Sequence, residues 1–381
     1  MDISKLLGAY RAGYSLDQNF YKDGDVFARD MDLLLGRWFC AGHLSELPAA
    51  GDYLLAELGL ESAVVVRGAD GVVRALANVC RHRGSRICVK PRGHAGILTC
   101  PYHAWTYYLD GRLRRAPEMP EGFDPAQHNL AALPLAVIGG LIFVSFADSP
   151  PALDTAAPAL AGMTTRFGWE TAKVAARKTF AVSSNWKLAL ENYHECYHCA
   201  PSHTEFSVHH ALSRPGNRRI GKRDAEAWGP TPDGQEVFRV MHSRLAEGSH
   251  TGSRDGQLLA PLMGSAADDG ECIFAELGFL SAFLAYPDHG LIYRFIPREV
   301  LRTEMEVIWL VRGDAEEGQD YDPQALTWLW DVTSLADKAI IERNQQGVLS
   351  RAYRPGPFSL MEPGARQYVE RYVGEMTRLA S

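Results

Sequence analysis

Hydrophobic residues in the first 36 positions recur at helical spacing in two pieces, residues 3–10 and 26–35. The second piece ends in three leucines followed by Gly36, and a glycine at this point is a common helix stop. The pattern therefore predicts an N-terminal helical arm over residues 1–36.

Between residues 37 and 150 the apolar runs become short and are separated by turn residues, which is typical of β-strands. The segments GADG at 68–71 and DG at 110–111 stand between paired runs and predict hairpins. The segment DSPP at 148–151 predicts a linker. We expect a small antiparallel β domain with strands at residues 53–57, 63–67, 72–78, 96–99, 104–108 and 141–146.

Residues 151–381 mix both kinds of pattern and predict an α+β domain. A strand at 174–182 leads into a helix that starts at residue 185. Residues 211–270 have weak periodicity and many Gly, Ser, Pro and Asp residues, so we expect mobile loops there. Further strands are predicted at 278–286, 290–297 and 304–311, and amphipathic helices at 322–341 and 365–379.

Composition narrows the classes of function. The net charge of -7 argues against nucleic acid or an anionic membrane as the main partner, since both select basic surfaces. No apolar run approaches the length that spans a bilayer, and the N-terminus lacks the apolar block of a signal peptide. Seven cysteines, an odd number, suit a reducing cytoplasm with metal sites better than a disulfide framework. We therefore expect a cytoplasmic protein.

Two cysteines and two histidines form the first candidate metal site. Cys80 and His82 are followed, after a gap, by Cys100 and His103. Such a set could hold a structural zinc ion, but the usual zinc finger places both cysteines before both histidines. Here each half supplies one of each, which suits a [2Fe–2S] Rieske cluster with two thiolates on one iron and two imidazoles on the other.

The second candidate site is the segment ENYHECYHCAPSH at residues 191–203. His194, Glu195 and His198 spell H-E-x-x-H, the pattern of helical zinc proteases. His198 and His203 instead form a pair five residues apart, with Glu195 three residues before the first. We expect a helix over residues 185–199, capped by Asn185 or Ser184, that ends before Pro201. His203 would then fold back toward His198.

Residues 78–84 (NVCRHRG) and 100–105 (CPYHAW) resemble the Rieske motif of the non-haem iron ring-hydroxylating oxygenase family, in its α subunit. With the second segment, the resemblance covers essentially the whole chain. It implies a Rieske domain at 37–150, with a [2Fe–2S] cluster bound by Cys80, His82, Cys100 and His103. It also implies a helix-grip (START-like) α+β catalytic domain with a mononuclear iron at 151–381.

The family's second motif is an acid, two spacers, His, four spacers and His, which maps onto Glu195, His198 and His203. The two histidines are then iron ligands, and His194 is a solvent or supporting histidine. The resemblance implies Asp337 as the third ligand, with Asp331 as the alternative. It also implies that Glu195 bridges a Rieske histidine of one subunit to an iron ligand of the next.

The string ENYHECYHC most resembles the branch of glycine-betaine monooxygenase and stachydrine demethylase. This implies a homotrimer that uses O₂ and electrons from a separate NAD(P)H-dependent reductase to hydroxylate an N-methyl group, with formaldehyde release. The alternative is hydroxylation or dihydroxylation of an aromatic ring. A trimethylammonium group favours an aromatic cage. The candidates are Phe206, Phe274, Phe279, Phe283, Tyr286, Tyr293, Phe295 and Trp309.

Overall fold

The computed structural model of the protein describes residues 2–210, 212, 234–266, 268 and 270–380. The chain divides into two compact units. Residues 35–150 form one, the β unit, and residues 1–34 together with 151–381 form the other, the mixed unit. Within the described residues, none of the helices combines the length and apolar character that a membrane crossing requires.

The β unit contains three antiparallel sheets, with strand orders β5-β2-β3-β4-β9, β6-β7-β8 and β1-β11-β10. The two predicted hairpins are confirmed: Arg67 pairs with Val73, and Tyr107 pairs with Leu113. The strands are β1 Phe39–His43, β2 Asp52–Leu58, β3 Glu61–Arg67, β4 Val73–Ala77, β5 Arg92–His94, β6 Leu98–Thr99, β7 Thr106–Tyr107, β8 Leu113–Arg115, β9 Ala132–Leu133, β10 Leu135–Ile138 and β11 Leu141–Val144.

Five of these strands were not predicted from the sequence: β1, β5, β8, β9 and β10. Four of them have two to four residues, which is too short for an alternating pattern to be recognised. β1 is buried at all five positions, so it has no polar face to alternate with.

The mixed unit is built on one six-stranded antiparallel sheet with the order β12-β17-β16-β15-β14-β13. The long helix α8 packs against β12, and α5 packs against both α8 and α9. The strands are β12 Ala172–Val182, β13 Phe238–Arg244, β14 Glu271–Leu277, β15 Ser281–Ala285, β16 Gly290–Glu299 and β17 Arg302–Arg312. The helices are α1 Ile3–Gly8, α2 Asn19–Lys22, α3 Gly24–Leu35, α4 Ala156–Arg166, α5 Trp186–Tyr193, α6 Cys199–Ser202, α7 Thr204–His209, α8 Pro323–Val348 and α9 Pro363–Ala380.

The N-terminal helices pack into the mixed unit through a buried polar cluster. Asp30 of α3 is fully buried and accepts hydrogen bonds from the Trp186 indole at 3.0 Å and the Tyr372 hydroxyl at 2.6 Å. It also forms an ion pair with Lys187, which is equally buried. Three segments far apart in sequence, α3, α5 and α9, are therefore joined at one carboxylate.

Two sequence expectations about residues 211–270 and 278–286 differ from the structure. A strand that was not predicted, β13, lies within the region expected to include loops, and residues 211, 213–233, 267 and 269 lie outside the described part of the chain. The predicted strand at 278–286 starts later, at Ser281, because Gly278 takes a left-handed conformation (φ 68°) in the turn after β14.

Candidate metal centres

The two loops of the first candidate site have matching tight turns. In one, the Cys80 amide donates to Ser85 O at 2.9 Å, and the Gly84 amide donates to Cys80 O at 2.9 Å. In the other, the Cys100 amide donates to Trp105 O at 2.8 Å, and the Ala104 amide donates to Cys100 O at 3.1 Å. Each turn thus presents a cysteine at its base and a histidine at its tip.

The four side chains separate into like pairs. Cys80 and Cys100 are each 2% exposed, whereas His82 and His103 are exposed and their ring centroids lie 4.7 Å apart. Among the described residues, no three of these four ligand atoms lie within 4.8 Å of one another, as a single zinc ion would require. Buried thiols and outer imidazoles fit a two-iron cluster instead.

Neighbouring side chains support this arrangement. The Trp105 ring stacks on His82 at 4.9 Å with an interplanar angle of 9°, and the Tyr102 ring stacks on His103 at 3.8 Å. The Tyr107 hydroxyl accepts from the Arg81 amide at 3.0 Å and lies 3.3 Å from Cys80 Sγ. Its own hydrogen is therefore available to the sulfur.

The segment that carries the second candidate site does not form one long helix. Asn185 caps α5 as expected, accepting from the Lys187 amide at 3.1 Å, but α5 ends at Tyr193 rather than near residue 199. The chain turns and re-forms a short helix, α6, which contains Pro201. The expectation that Pro201 ends the helix was wrong. A proline in the first turn of a helix has no intrahelical amide bond to lose.

Three predicted ligands converge in the mixed unit. The ligand atoms of His198, His203 and Asp337 all lie within 4.8 Å of one another. Asp337 Oδ1 is 2.8 Å from His203 Nε2 and 3.2 Å from His198 Nε2. Two imidazoles and one carboxylate facing a common point match the donor set of a non-haem iron site. His203 thus folds back toward His198 as predicted, with ring centroids 5.2 Å apart.

The electrostatics of this point favour a cation. Burial alone would lower the pKa of His198, but hydrogen bonds to Asp337 and Glu195 outweigh burial and raise the pKa to about 10. Burial would raise the pKa of Asp337, yet the two histidines hold it below its ordinary value. The two shifts have opposite causes: carboxylates raise the pKa of His198, and imidazoles lower the pKa of Asp337.

Glu195 lies beside this set. Its Oε1 is 2.5 Å from His198 Nδ1, and its Oε2 accepts from the Tyr197 and His198 amides. A carboxylate on Nδ1 fixes the His198 tautomer and directs Nε2 toward Asp337. The structure therefore gives Glu195 one of the two contacts expected of it.

The other candidates in this region have separate partners. Asp331 pairs with Lys178 at 2.6 Å, and Glu342, a further acid on the same helix, accepts from the Ser183 amide at 2.8 Å. His194, the first histidine of the H-E-x-x-H string, points to Glu276 at 3.2 Å. None of the three belongs to the convergent set in the described part of the chain.

Two residues of this region, Asn192 and Trp330, were not identified as candidates from the sequence. The Asn192 amide nitrogen lies 3.4 Å from His198 Nε2. The Trp330 ring lies 5.5 Å from Phe206 and 5.8 Å from Tyr293. Trp330 precedes Asp337 by seven residues, or two turns of α8, and this spacing could have placed it on the ligand's face.

The aromatic candidates that lie on strands divide between the two faces of the sheet, whereas Phe206 lies on helix α7. Tyr293 pairs with Ala282, so the next residue, Phe283, points to the opposite face, where its ring lies 6.4 Å from Trp169. Tyr293 and Phe206 remain near Trp330 and α8. Sequence alone could not separate these faces, since every position concerned is apolar.

Two family models match the chain. One, described as the ring hydroxylating alpha subunit (catalytic domain), matches residues 169–378, and the other, described as the Rieske [2Fe-2S] domain, matches residues 37–135. The chain belongs to the Rieske ring-hydroxylating oxygenase family. Members hold a Rieske cluster and a mononuclear iron, so this Rieske oxygenase is an oxidoreductase with both cofactors.

Characterised relatives of this Rieske oxygenase cover nearly the whole chain. It is 35% identical to the glycine betaine monooxygenase oxygenase subunit of Chromohalobacter salexigens, over 97% of this chain and 88% of that protein. It is 28% identical to the carnitine monooxygenase oxygenase subunit of Escherichia coli K12, over 90% and 86%. A crystal structure of a quaternary ammonium Rieske monooxygenase with L-carnitine aligns with a TM-score of 0.74, at 22% identity over 97% of each chain. The last comparison establishes the shared fold.

Proposed function

We propose that this Rieske oxygenase hydroxylates an N-methyl group of a betaine-type quaternary ammonium compound. The observation that carries the proposal is the convergence of His198, His203 and Asp337 in a chain that also holds the paired Cys and His loops. The relatives named for glycine betaine and carnitine favour this substrate class over an aromatic ring.

The ligand assignments form part of the proposal. His198, His203 and Asp337 would hold the mononuclear iron, and Cys80, Cys100, His82 and His103 would hold the cluster. The bound metals supply O₂ activation with electrons that the cluster relays. The charge balance would fit, since one carboxylate and two imidazoles, deprotonated on binding the metal, would partly neutralise Fe(II).

The aromatic rings beside the iron ligands suggest how the substrate is held. The Trp330 ring lies next to both Phe206 and Tyr293. Trp330 is on α8 with Asp337, Phe206 is on α7, which begins directly after His203, and Tyr293 is on β16. A trimethylammonium group is attracted to the faces of such rings by cation–π contacts. Trp330 thus extends the cage proposed from Phe206 and Tyr293.

Glu195 is assigned a role in electron delivery. Its contact with His198 Nδ1 orients one imidazole, and we place the outer nitrogen of His82 or His103 from a neighbouring subunit against the same carboxylate. Such a head-to-tail contact requires a closed ring, for which a homotrimer is the smallest solution beyond a dimer. Relatives named as oxygenase subunits imply a separate reductase component, here a flavin and iron–sulfur protein in the cytoplasm.

The chemistry accounts for the product. Hydroxylation of an N-methyl carbon replaces a C–H bond by C–OH, and one atom of O₂ becomes water with two electrons and two protons. The resulting carbinolamine breaks its C–N bond and releases formaldehyde and the demethylated amine. The enzyme's residues need only hold the methyl group near the iron and exclude water.

A substrate screen tests the proposal. Purified protein with a reductase and NADH is presented with glycine betaine, carnitine, stachydrine and a set of aromatic acids. We expect substrate-dependent NADH oxidation with formaldehyde from one or more betaines. Oxidation of an aromatic acid without formaldehyde, and no turnover of betaines, would contradict the proposal and support ring hydroxylation.

A further inference from the structure

His194 is buried although neither metal centre uses it. Its exposed fraction is 8%, and its Nδ1 lies 3.2 Å from Glu276 Oε1 on β14. Glu276 is itself only 5% exposed, so this contact is made away from water. A buried histidine that meets a buried carboxylate has a fixed ring orientation.

Glu276 is held from the neighbouring strand. Arg239 of β13 is the cross-strand partner of Glu276, and its Nη2 donates to the same Oε1 at 2.5 Å. Burial would raise the pKa of Glu276, but the Arg239 guanidinium and the adjacent His194 side chain lower it to about 2. The carboxylate is therefore ionised and is anchored to two adjacent strands of the sheet.

The start of α9 closes the other side of His194. A Cβ atom added to Gly364 would meet the His194 carbonyl oxygen at 2.1 Å, so the helix backbone is in direct contact with it. The Tyr368 ring, one turn further along α9, lies 4.6 Å from the His194 ring. Sheet and helix together thus hold both the backbone and the side chain of this residue.

The chain just after His194 needs such support. The backbone bonds that enter and leave the turn between α5 and α6 are long: Glu195 N to Asn192 O is 3.4 Å, and Cys199 N to Cys196 O is 3.4 Å. This turn carries Glu195 and His198. Because the regular helix stops at Tyr193, the geometry of this turn depends on side-chain contacts.

We propose that His194, through its contact with the Arg239–Glu276 pair, is a positioning residue that fixes the turn bearing Glu195 and His198. The inference rests on the proposed assignment of His198 as an iron ligand. It gives the H-E-x-x-H string a physical reason: the first histidine anchors the turn to the sheet, and the second meets the iron. His194 is not itself a ligand or a catalytic residue.

Two substitutions separate the contact with Glu276 from the rest of the ring. His194→Ala removes the contact with Glu276, whereas His194→Asn places an amide nitrogen near the position of Nδ1 and can keep it. We expect iron loss to an external chelator to accelerate about three- to tenfold in His194→Ala, below the range for removing a direct partner of a ligand. His194→Asn should stay within about twofold of the parent by the same reasoning.

A spectroscopic signature distinguishes positioning from general stability. EPR of the ferrous protein treated with nitric oxide reports the symmetry of the mononuclear site without any substrate. We expect a broadened or split signal in His194→Ala and a signal like that of the parent in His194→Asn. The visible spectrum of the Rieske cluster serves as the check that each variant is folded.

A matched control tests whether loss of any buried ion pair has this effect. Glu306 is 7% exposed and pairs with Arg294 and Arg177 in the same sheet. Glu306→Gln should lower the melting temperature but leave the chelation rate and the EPR signal unchanged, while Glu276→Gln should alter both. Unchanged chelation and EPR in a folded His194→Ala would overturn the inference. Parent protein without mononuclear iron would instead refute the ligand assignment.

Discussion

At the scale of single residues, function depends on which nitrogen and oxygen atoms face one another. A common point is faced by His198 Nε2, His203 Nε2 and Asp337 Oδ1, whereas Asp331 forms an ion pair with Lys178. Of these two acids on one helix, Asp337 faces the histidines and Asp331 does not. Removing a ligand and removing Asp331 should have separable consequences.

We expect His203→Ala and Asp337→Ala to lose about one iron per subunit while keeping the two of the Rieske cluster, since the two sites share no ligand. Metal analysis together with the visible spectrum of the cluster measures both quantities. Asp331→Ala is the control and should retain the full iron content. Loss of iron in Asp331→Ala with retention in Asp337→Ala would reverse the assignment.

The Tyr107 hydroxyl is expected to tune the cluster. A hydrogen bond to a ligating sulfur stabilises the more negative, reduced cluster, so Tyr107→Phe should lower its reduction potential. A net hydrogen bond of about 0.5–1.5 kcal/mol corresponds to roughly 20–60 mV for one electron. Redox titration followed by visible circular dichroism measures the change. Tyr108→Phe, at an exposed position, should not shift the potential.

Candidate functional residues could be identified from the sequence where the spacing of cysteines, histidines and acids indicates a metal site. The Cys80 and Cys100 motifs and the His198–His203 pair are local, and their contacts follow from short segments. The roles of Tyr107 and Glu276 could not be assigned in this way, and the spacing of Trp330 from Asp337 indicates its helix face but not its aromatic partners. Their roles depend on partners far along the chain or across strands, and only the folded chain brings these together.

At the scale of elements, the end of α5 was the main misjudged feature. A helix to residue 199 was expected because no strong breaker precedes Pro201. The structure ends α5 at Tyr193 because tertiary contacts of His194 and the side-chain cap by Glu195 replace helical bonds. The central parts of the helices could be predicted from hydrophobic periodicity, whereas the positions of their ends depend on tertiary packing.

α5 also carries a buried acid that makes stability depend on pH. Glu191 accepts a hydrogen bond from the Tyr21 hydroxyl at 2.8 Å, and burial raises its pKa from 4.5 to about 7. Between these values the unfolded chain releases a proton that the folded protein keeps. The stability linked to neutral Glu191 is therefore complete below pH 4.5 and lost as the pH rises to about 7.

Glu191→Gln should remove this dependence. The neutral amide cannot ionise, so the variant should gain on the parent as the pH rises from 4.5 to about 7. The gain should reach at most about 3 kcal/mol, at about 1.4 kcal/mol per pKa unit. Unfolding in denaturant across this pH range measures it. Glu247→Gln, at an exposed position, should show no such trend. A constant difference between Glu191→Gln and the parent would contradict the prediction.

At the scale of the whole molecule, the sequence indicated an all-β part and an α+β part, and the structure has both. It did not indicate that residues 1–34 cluster with residues 151–381. That association depends on Asp30 meeting Lys187, Trp186 and Tyr372, a set of contacts with no local signature. The mixed unit is therefore made of two segments that are not continuous in sequence.

Electron transfer between subunits can be tested by mixing two inactive variants. Cys100→Ala lacks the cluster and His203→Ala lacks the mononuclear iron, so neither should turn over alone. Coexpression with two affinity tags isolates mixed assemblies. Every mixed head-to-tail trimer has three interfaces, and one of them joins an intact cluster to an intact iron site, so about a third of parent activity should return. No recovery would indicate transfer within one subunit.

The central claim is N-demethylation at the His198, His203 and Asp337 site, and a single-turnover reaction tests it most directly. Chemically reduced protein, without reductase, is mixed with O₂ and, in separate reactions, with glycine betaine, carnitine or stachydrine labelled with ¹³C in the N-methyl groups, and the products are observed by NMR. We predict that the parent converts at least one of these betaines to labelled formaldehyde and the demethylated amine in equal amounts, and that Asp337→Ala forms neither. Consumption of O₂ with no labelled formaldehyde from glycine betaine, carnitine or stachydrine would contradict the claim.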